Sequence, residues 1–214
     1  MPPRARQPRE SSPQSTIKLP APWLKSKFSL EEAIARRRSV RRYHAGAITL
    51  PELGQLLWAA QGITGAGELR AAPSAGATYP LEIFAVLGNR TAGELPAGVY
   101  HYQADSHSLL AHLRGDLREE LARAALDQGF IAEAPVDIVI CALYPRTAYT
   151  YGRRGERYVH MEVGHTGENI HLQAVALGLA TVEVGAFVDE EVSKVLKLKE
   201  QIKPLYIMPV GKPL

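Results

Sequence analysis

The stretch SLEEAIARRRSVRRY, residues 29–43, joins a helix start to a dense run of arginines. Ser29 is followed three residues later by Glu32, a capping box that predicts a helix reaching about Arg38. Five arginines occupy the seven positions 36–42. Guanidinium groups repel one another unless an anion holds them together, and their fixed donors match pairs of phosphate oxygens. The run therefore indicates a phosphate-binding segment; a solvated basic face and a nucleic-acid surface are the alternatives.

The composition is that of a globular chain with one sizeable core. Of the 214 residues, 46% are hydrophobic and 22% are charged, and the formal net charge is +3. The positive excess lies in the N-terminal segment and in the arginine run, whereas nucleic-acid binders spread Lys and Arg over a face with interleaved aromatics. We therefore expect no nucleic-acid partner. The size favours one domain over two.

The cysteine content and the hydropathy pattern bear on the compartment. The single cysteine, Cys141, excludes an internal disulfide and fits a reducing compartment. No apolar run approaches the roughly 18 residues of a membrane span, and no targeting signal is apparent. The sequence predicts a cytoplasmic protein without a membrane partner.

The N-terminal segment differs in composition from the rest of the chain. Residues 1–22 contain six of the fifteen prolines and almost no apolar run. Such a composition is typical of a mobile arm, because it offers little apolar surface to bury. We expect a flexible arm over residues 1–27 and a single domain over residues 28–214.

Helix signals and β-like runs alternate irregularly after this arm. Besides the helix that follows Ser29, four more are predicted. A second capping box, Thr49 with Glu52, and the glycine stop at Gly62 bound one at 50–61, and Asp116 opens one at 116–128. The others are expected at 158–177 and, capped by Asp189, at 189–196. Runs rich in Val, Ile, Tyr and Leu predict strands at 82–87, 98–103, 136–144, 180–184 and 204–210. The second strand follows the first too closely for a crossover helix. The pattern predicts an α+β fold with helices on the faces of a sheet, and not a doubly wound parallel sheet.

Two loops carry small residues suited to a ligand. Residues 72–80 place small and turn-forming side chains just before a strand, where backbone N–H groups can approach a flat or anionic ligand. A plain connecting loop is the alternative. Further on, the Gly185-Ala186 step leaves backbone amides open to a planar ring.

Six stretches, in this order, resemble the nitroreductase-like family of FMN oxidoreductases, and most closely its SagB/ThcOx-type dehydrogenase branch. They span about residues 28–211 and read SLEEAIARRRSVRRY, LLWAAQGIT, APSAGATYPLEIF, GVYHY, YGRRGERYVHMEVGHTGENIHLQAVALGLATVEVGAF and PLYIMPVG. The resemblance implies a nitroreductase-like FMN-binding fold with a central mixed or antiparallel sheet flanked by helices. It also implies an intertwined homodimer with two FMN sites at the interface, each built from both chains.

The resemblance assigns the polar end of FMN to the arginine run and to the end of the chain. Arg37, Arg38 and Ser39 would serve phosphate and ribityl oxygens. Arg41 would lie near the pyrimidine edge of the ring, where its charge would stabilise reduced flavin. Lys212 would reach the phosphate.

The two small-residue loops match the segments that contact the flavin ring in the family. The first would pack on the ring from the partner subunit, through Pro73, Ser74, Ala75 and Gly76. The second would bring a backbone amide to flavin N5, the hydride-accepting atom, through Val184, Gly185 and Ala186.

The resemblance implies hydride transfer through flavin N5 in a ping-pong cycle, by a SagB/ThcOx-type dehydrogenase acting on a small-molecule or peptide-derived substrate. Two positions depart from the family pattern. Ala77 stands where ordinary nitroreductases carry an asparagine. Thr150 stands where azoline-oxidising members carry the lysine of a Lys-Tyr pair, and threonine is a poor base at neutral pH. The tyrosine of the pair is present as Tyr151, a candidate proton donor or a packing residue.

Other functions remain open at this stage. One is an NAD(P)H-dependent reductase of nitroaromatics or quinones, with the nucleotide stacking transiently on the flavin as electron donor. Another is a non-enzymatic scaffold subunit of a modification complex with a vestigial flavin site. Glu162, His165 and His171 prompt a check for a metal, but a di-iron bundle needs a second Glu-x-x-His pair. We expect no metal site. Small residues at Gly164 and Gly167 fit either a helix at a dimer centre or a monomer core helix.

Overall fold

The computed structural model describes residues 15–89 and 95–214, and it confirms the α+β fold. Within those residues the strands form one seven-stranded antiparallel sheet in the order β1-β4-β3-β2-β5-β7-β6. The strands are β1 Thr16–Lys18, β2 Leu81–Leu87, β3 Gly98–Gln103, β4 Ser108–Arg114, β5 Val136–Leu143, β6 Ala180–Thr181 and β7 Ile202–Gly211. The helices are α1 Leu30–Arg36, α2 Leu50–Gln61, α3 Arg118–Ala124, α4 Phe130–Glu133, α5 Pro145–Tyr151, α6 Gly155–Ala176 and α7 Asp189–Val195.

The sheet separates two apolar layers because successive side chains of a strand point to opposite faces. On one face, Ile83 of β2 and Ile138 of β5 join a core cluster that includes residues of α2 and α6. On the other face, Phe84 and Val139 join a cluster with residues of α3, α4 and α7. The long helix α6 therefore lies across the sheet, with α2 beside it.

The two predicted capping boxes are present. The hydroxyl oxygens of Ser29 and Thr49 each accept a hydrogen bond from the backbone N–H three residues later. The glutamate at that position in turn accepts a hydrogen bond from the backbone N–H of the cap residue. Helix α2 has the predicted bounds, but α1 ends at Arg36 and not near Arg38. Arg37 leaves the helix with φ −52° and ψ 122°. The remaining arginines consequently lie on extended chain.

Other parts of the structure differ from the prediction. The single helix expected at 116–128 is two short ones, α3 and α4, because Leu126 and Asp127 both take a left-handed backbone conformation with φ 59°. Asp116 does not cap α3; it pairs with Arg118, with 2.7 Å between Oδ2 and Nη2. Strand β4 and helix α5 lie where no element was predicted. Asp189 is the first residue of α7 and does not cap it.

Part of the predicted arm packs on the sheet. Strand β1 pairs antiparallel with β4, and Leu19 is buried in the core. Gln55 of α2 also bonds to both the backbone N–H and the carbonyl of Trp23. Residues 15–27 are therefore held by backbone pairing and one buried leucine, although their proline content suggested otherwise. Residues 1–14 of the predicted arm lie outside the described residues. None of the described helices is long and apolar enough to cross a membrane.

Candidate functional site

The arginine segment, residues 36–42, runs along the end of the sheet and is fixed there by its backbone. The Val40 N–H donates to the Thr181 carbonyl of β6 at 3.0 Å. The buried Tyr43 hydroxyl donates to the carbonyls of Val40 and Pro209, at 2.7 and 3.2 Å. The chain after α1 is thereby held extended, which leaves the arginine side chains at the surface.

Most of these arginines carry charge that no carboxylate balances. In the part of the chain that the structure describes, Arg36 is the member of the segment with a carboxylate ion pair, at 3.3 Å from Glu32. Arg38 donates to the Ala35 and Arg37 carbonyls. The Arg41 guanidinium lies 5.8 Å from the centre of the Phe130 ring. The segment thus presents several guanidinium groups whose donors fit an anion such as a phosphate.

His171 of α6 joins the arginine segment to the segment around Gly185. Its ring is fully buried, with Nδ1 2.7 Å from Glu183 Oε1 and Nε2 3.1 Å from the Arg38 carbonyl. Burial raises the pKa of Glu183, but the His171 hydrogen bond and charge and the charge of Arg37 outweigh it, so this pKa lies below its ordinary value. Each ring nitrogen thus lies within hydrogen-bond distance of an acceptor oxygen, one on each segment.

Residues 184–186 lie at the same end of the sheet. Val184 exchanges both backbone hydrogen bonds with Ile207 of β7, whereas Gly185 and Ala186 are exposed. The Tyr206 ring lies beside Gly185, since a Cβ on that glycine would be 3.6 Å from Tyr206 Cε1. Tyr206 is a neighbour of the site that was not predicted, because only the pairing of β7 with residue 184 brings it there.

Lys212 follows β7 into the same region. Its carbonyl accepts from the His44 N–H at 2.9 Å, just beyond the arginine segment. Its side chain passes Gly46, whose Cβ would lie 4.0 Å from Lys212 Cδ. The structure therefore places Lys212 beside the end of the arginine segment, whereas Val184 pairs with β7 five residues earlier, at Ile207.

The predicted ring-packing loop, Pro73 to Gly76, lies elsewhere on the same chain. Ser74 Oγ accepts from the Tyr79 N–H at 3.0 Å. Gly76 has φ 58°, and a Cβ there would be 2.5 Å from the Tyr151 hydroxyl oxygen, so the site needs glycine. Ala75 begins the short turn that packs against α6. Tyr151 thus lines this loop, and its ring meets that of Tyr158 edge-on at 5.0 Å.

The predicted ring-packing loop and the arginine segment contact α6 at different positions along the helix axis. The loop approaches the helix at Glu162, through Ser74, and the arginine segment approaches it at His171. Nine residues of helix at 1.5 Å each separate these contacts by about 13 Å. One chain therefore presents the predicted site residues as two separate groups.

Glu162 is a buried acid directly behind the loop. Its side chain lies on the inner face of α6, 2% of the residue is exposed, and Oε1 has no hydrogen-bond partner among the described residues. Burial raises the pKa of Glu162 to about 7, against hydrogen bonds from Ser74 and Gln61 and the charge of Arg70, which lower it. The sequence drew attention to Glu162 only as a metal ligand. Its place between apolar positions of an amphipathic helix was the signal that it is buried.

A different trio of residues has metal-ligand spacing. The ligand atoms of Glu168, His171 and Glu183 lie within 4.8 Å of one another. Both nitrogens of His171 are already engaged, by Glu183 and by the Arg38 carbonyl. The exposed His165 is not part of the trio. The geometry is that of a hydrogen-bonded ion pair, and it carries no metal assignment.

The sequence profile of the nitroreductase family matches residues 34–212, which include all the segments above. The chain belongs to the nitroreductase family. A protein of Methanocaldococcus jannaschii that is named as a nitroreductase is 49% identical over 185 residues, covering 86% of this chain and 91% of that protein. A solved structure from Ralstonia eutropha, also named as a nitroreductase, has a TM-score of 0.82 at 26% identity and covers 100% of this chain and 98% of its own.

The SagB type is represented among the relatives of this nitroreductase-family chain. The microcin B17-processing protein McbC of Escherichia coli is 27% identical over 153 residues. That match covers 65% of this chain and 53% of McbC, so the chain spans about half of that relative's length. The resemblance inferred from the six sequence stretches is thereby confirmed.

Replacing Glu162 by glutamine tests the buried acid. An unfolded glutamate ionises near pH 4.3, whereas Glu162 in the fold keeps its proton until about pH 7. The wild type should therefore lose stability as the pH rises between these values and level off above them. E162Q lacks this slope, so the free energy of unfolding of E162Q minus that of the wild type should increase across that window by at most about 4 kcal/mol. Thermal unfolding at pH 5, 6, 7 and 8 measures it.

The control is Glu156→Gln, at an exposed position in the first turn of the same helix. Its unfolding temperature should follow that of the wild type at every pH. Parallel curves for E162Q and the wild type would show that Glu162 is ionised throughout and contradict the assignment.

Proposed function

We propose that this chain is an FMN-dependent oxidoreductase whose arginine segment binds the flavin phosphate. The observation that carries the proposal is the set of surface guanidinium groups without carboxylate ion pairs, held on extended backbone beside the exposed amides of Gly185 and Ala186. Charged donors next to open backbone N–H groups suit a ligand with an anionic end and a planar polar ring. The donor set therefore fits FMN, as the family resemblance implies.

Each residue of this set has a role in the proposal. Arg37, Arg38 and Ser39 provide donors for the phosphate and ribityl oxygens, and Lys212 adds a charge from the other side. Arg41 provides a positive charge near the pyrimidine edge of the flavin, where it would stabilise the electron-rich reduced ring. FMN, when bound, supplies a hydride-accepting N5 atom, and the protein supplies placement and charge.

A homodimer would complete the site. Within one chain, the loop around Ser74 lies about 13 Å along α6 from the arginine segment, so we propose that the loop of the partner subunit covers the ring. Exposed apolar side chains support a partner on this side of the molecule: Leu30 and Ile34 of α1 are 61% and 57% exposed, and Met161 of α6 is 51% exposed. Gly164 of α6 also leaves room for a partner, since a Cβ at this position would meet no atom of the chain within 4 Å.

Two observations point to different substrates. The similarity to McbC favours a SagB/ThcOx-type dehydrogenase acting on a small-molecule or peptide-derived substrate, with Tyr151 beside Gly76 as proton donor. The position before it is Thr150 and not a basic residue, which disfavours oxidation of peptide heterocycles. The higher identity to the Methanocaldococcus protein favours an NAD(P)H-dependent reductase of nitroaromatics or quinones as the second candidate.

Arg37→Ala should weaken FMN binding while the fold is retained. A hydrogen bond to a charged group contributes about 1.5–3 kcal/mol, so the dissociation constant should rise about 10- to 150-fold. Titration followed by quenching of flavin fluorescence measures it.

The matched control is Arg36→Ala. Arg36 belongs to the same segment but is paired with Glu32, so its loss should change FMN affinity little. If R37A binds FMN with wild-type affinity, the assignment of Arg37 to the flavin phosphate is contradicted. Wild-type protein that stays colourless after incubation with FMN would instead support a scaffold subunit with a vestigial flavin site.

Ile34→Glu should separate the proposed dimer and abolish FMN binding together. The side chain is exposed in the single chain, so the substitution should not unfold it; a charge in an apolar interface should disrupt association. Sedimentation velocity and FMN titration measure the two effects. Leu126→Glu, at an equally exposed position between α3 and α4, is the control and should remain a flavin-binding dimer. A wild-type monomer that binds FMN would contradict the shared site.

The two candidate substrates differ in how the flavin is reduced. Anaerobic stopped-flow mixing of the FMN-loaded protein with NADH and with NADPH should bleach the flavin absorbance if the chain is an NAD(P)H-dependent reductase. We expect slow or no bleaching by either nucleotide if the chain is a dehydrogenase whose flavin takes hydride from its own substrate. Rapid bleaching by either nucleotide would contradict the dehydrogenase and favour the NAD(P)H-dependent reductase.

A further inference from the structure

His171 lies behind the proposed FMN site and contacts both of its halves. Its Nε2 is 3.1 Å from the carbonyl of Arg38, in the middle of the arginine segment. Its Nδ1 is 2.7 Å from the carboxylate of Glu183, the residue before Val184. The imidazole belongs to the buried face of α6 and is fully shielded from solvent. No other described side chain bonds to both segments at once.

The two hydrogen bonds fix the orientation of the ring. Nε2 faces the Arg38 carbonyl and Nδ1 faces the Glu183 carboxylate, so each partner holds one edge of the imidazole. The bond to the carboxylate is charge-assisted, and such bonds are shorter and stronger than those between neutral groups.

We propose that His171 is a positioning residue for FMN: its buried imidazole links the Arg38 carbonyl to the Glu183 carboxylate and so fixes the phosphate donors relative to the Gly185-Ala186 amides. This inference rests on the proposed function. His171 itself touches neither cofactor nor substrate. The residues that it aligns are the neighbours of its two partners: Arg37 and Ser39 flank one, and Val184 follows the other.

The charges around Glu183 give His171 a second effect. Glu183 lies in the electrostatic field of Arg37 as well as that of His171. With His171 present, the carboxylate is held by the hydrogen bond to the imidazole ring. Without it, the carboxylate is free to pair with Arg37 and would compete with a phosphate for that guanidinium. Loss of His171 should therefore weaken phosphate binding by more than a loss of alignment alone.

The experiment compares His171→Leu, His171→Gln and Glu183→Gln with the wild type. H171L removes both links, and we expect its FMN dissociation constant to rise at least tenfold, with the melting temperature of the FMN-free protein close to that of the wild type. H171Q retains one donor and should show a smaller loss. The visible circular dichroism of the flavin bound at saturation should also change in H171L, because the ring is no longer held in one orientation.

The control is Gln173→Leu on the same helix. Gln173 accepts a hydrogen bond from Gln55 of α2 at 3.1 Å and contacts neither half of the site. Q173L should bind FMN with wild-type affinity. In the double variant H171L/E183Q, the losses should be less than additive, because both substitutions break the same link and the second removes the competing carboxylate.

Three outcomes separate the hypotheses. Wild-type protein that does not bind FMN would overturn the proposed function, and the present inference with it. FMN binding that is unaffected by H171L would overturn the inference alone. A melting temperature that falls in H171L while the affinity and the flavin spectrum at saturation stay unchanged would show a merely structural histidine, which also overturns it. If H171L does not fold, H171Q and E183Q decide between the same outcomes.

Discussion

The packing of α6 across the sheet is the constraint on which the rest of the structure depends. Its apolar side chains, among them Val159, Val163, Ile170 and Ala174, are buried against the sheet. The same inner face also carries Glu162 and His171, two ionisable groups in a place where apolar side chains would stabilise more. Each of them contacts a segment of the proposed site: Glu162 the loop around Ser74, and His171 the arginine segment. One helix thus sets the position of both groups of site residues, and the polar groups on its buried face connect the core to the cofactor site.

The electrostatics of the arginine segment follow from how its backbone is held. An arginine cluster in a helix would spread its side chains around the axis, whereas residues 37–42 run extended along the end of the sheet. Backbone hydrogen bonds to Thr181 and from Tyr43 fix this path without using the guanidinium groups. The charges therefore remain available at the surface, and among residues 15–89 and 95–214 the carboxylates of Glu32 and Glu183 offset the repulsion between them. An anion that joins them gains several charge-assisted hydrogen bonds at a site that is already formed.

The sequence predicted those parts of the fold that depend on local signals. The capping box at Thr49 and the glycine stop at Gly62 gave the bounds of α2, because both act within a few residues of the helix ends. Strand β4 and helix α5 were missed, since His112 interrupts the apolar run of the first and Pro145 begins a helix too short to show periodicity. The sequence predicted the segments of the site but not the hydrogen bonds that connect them. The partners of His171 are 12 and 133 positions away, so no spacing within α6 could predict its contacts with Glu183 and the Arg38 carbonyl.

Sharing a site between two chains would also link its occupancy to stability. A ligand that binds only the folded dimer shifts both the folding and the association equilibria toward that state. Two buried polar groups of this chain, Glu162 behind the loop and His171 behind the arginines, lie on the same helix. In the proposed dimer, a displacement of α6 would therefore disturb the loop of one half-site and the arginine segment of the other together. If the proposal holds, the core position of α6 would matter more for cofactor binding than any single exposed contact, since it would set the geometry of both half-sites at once.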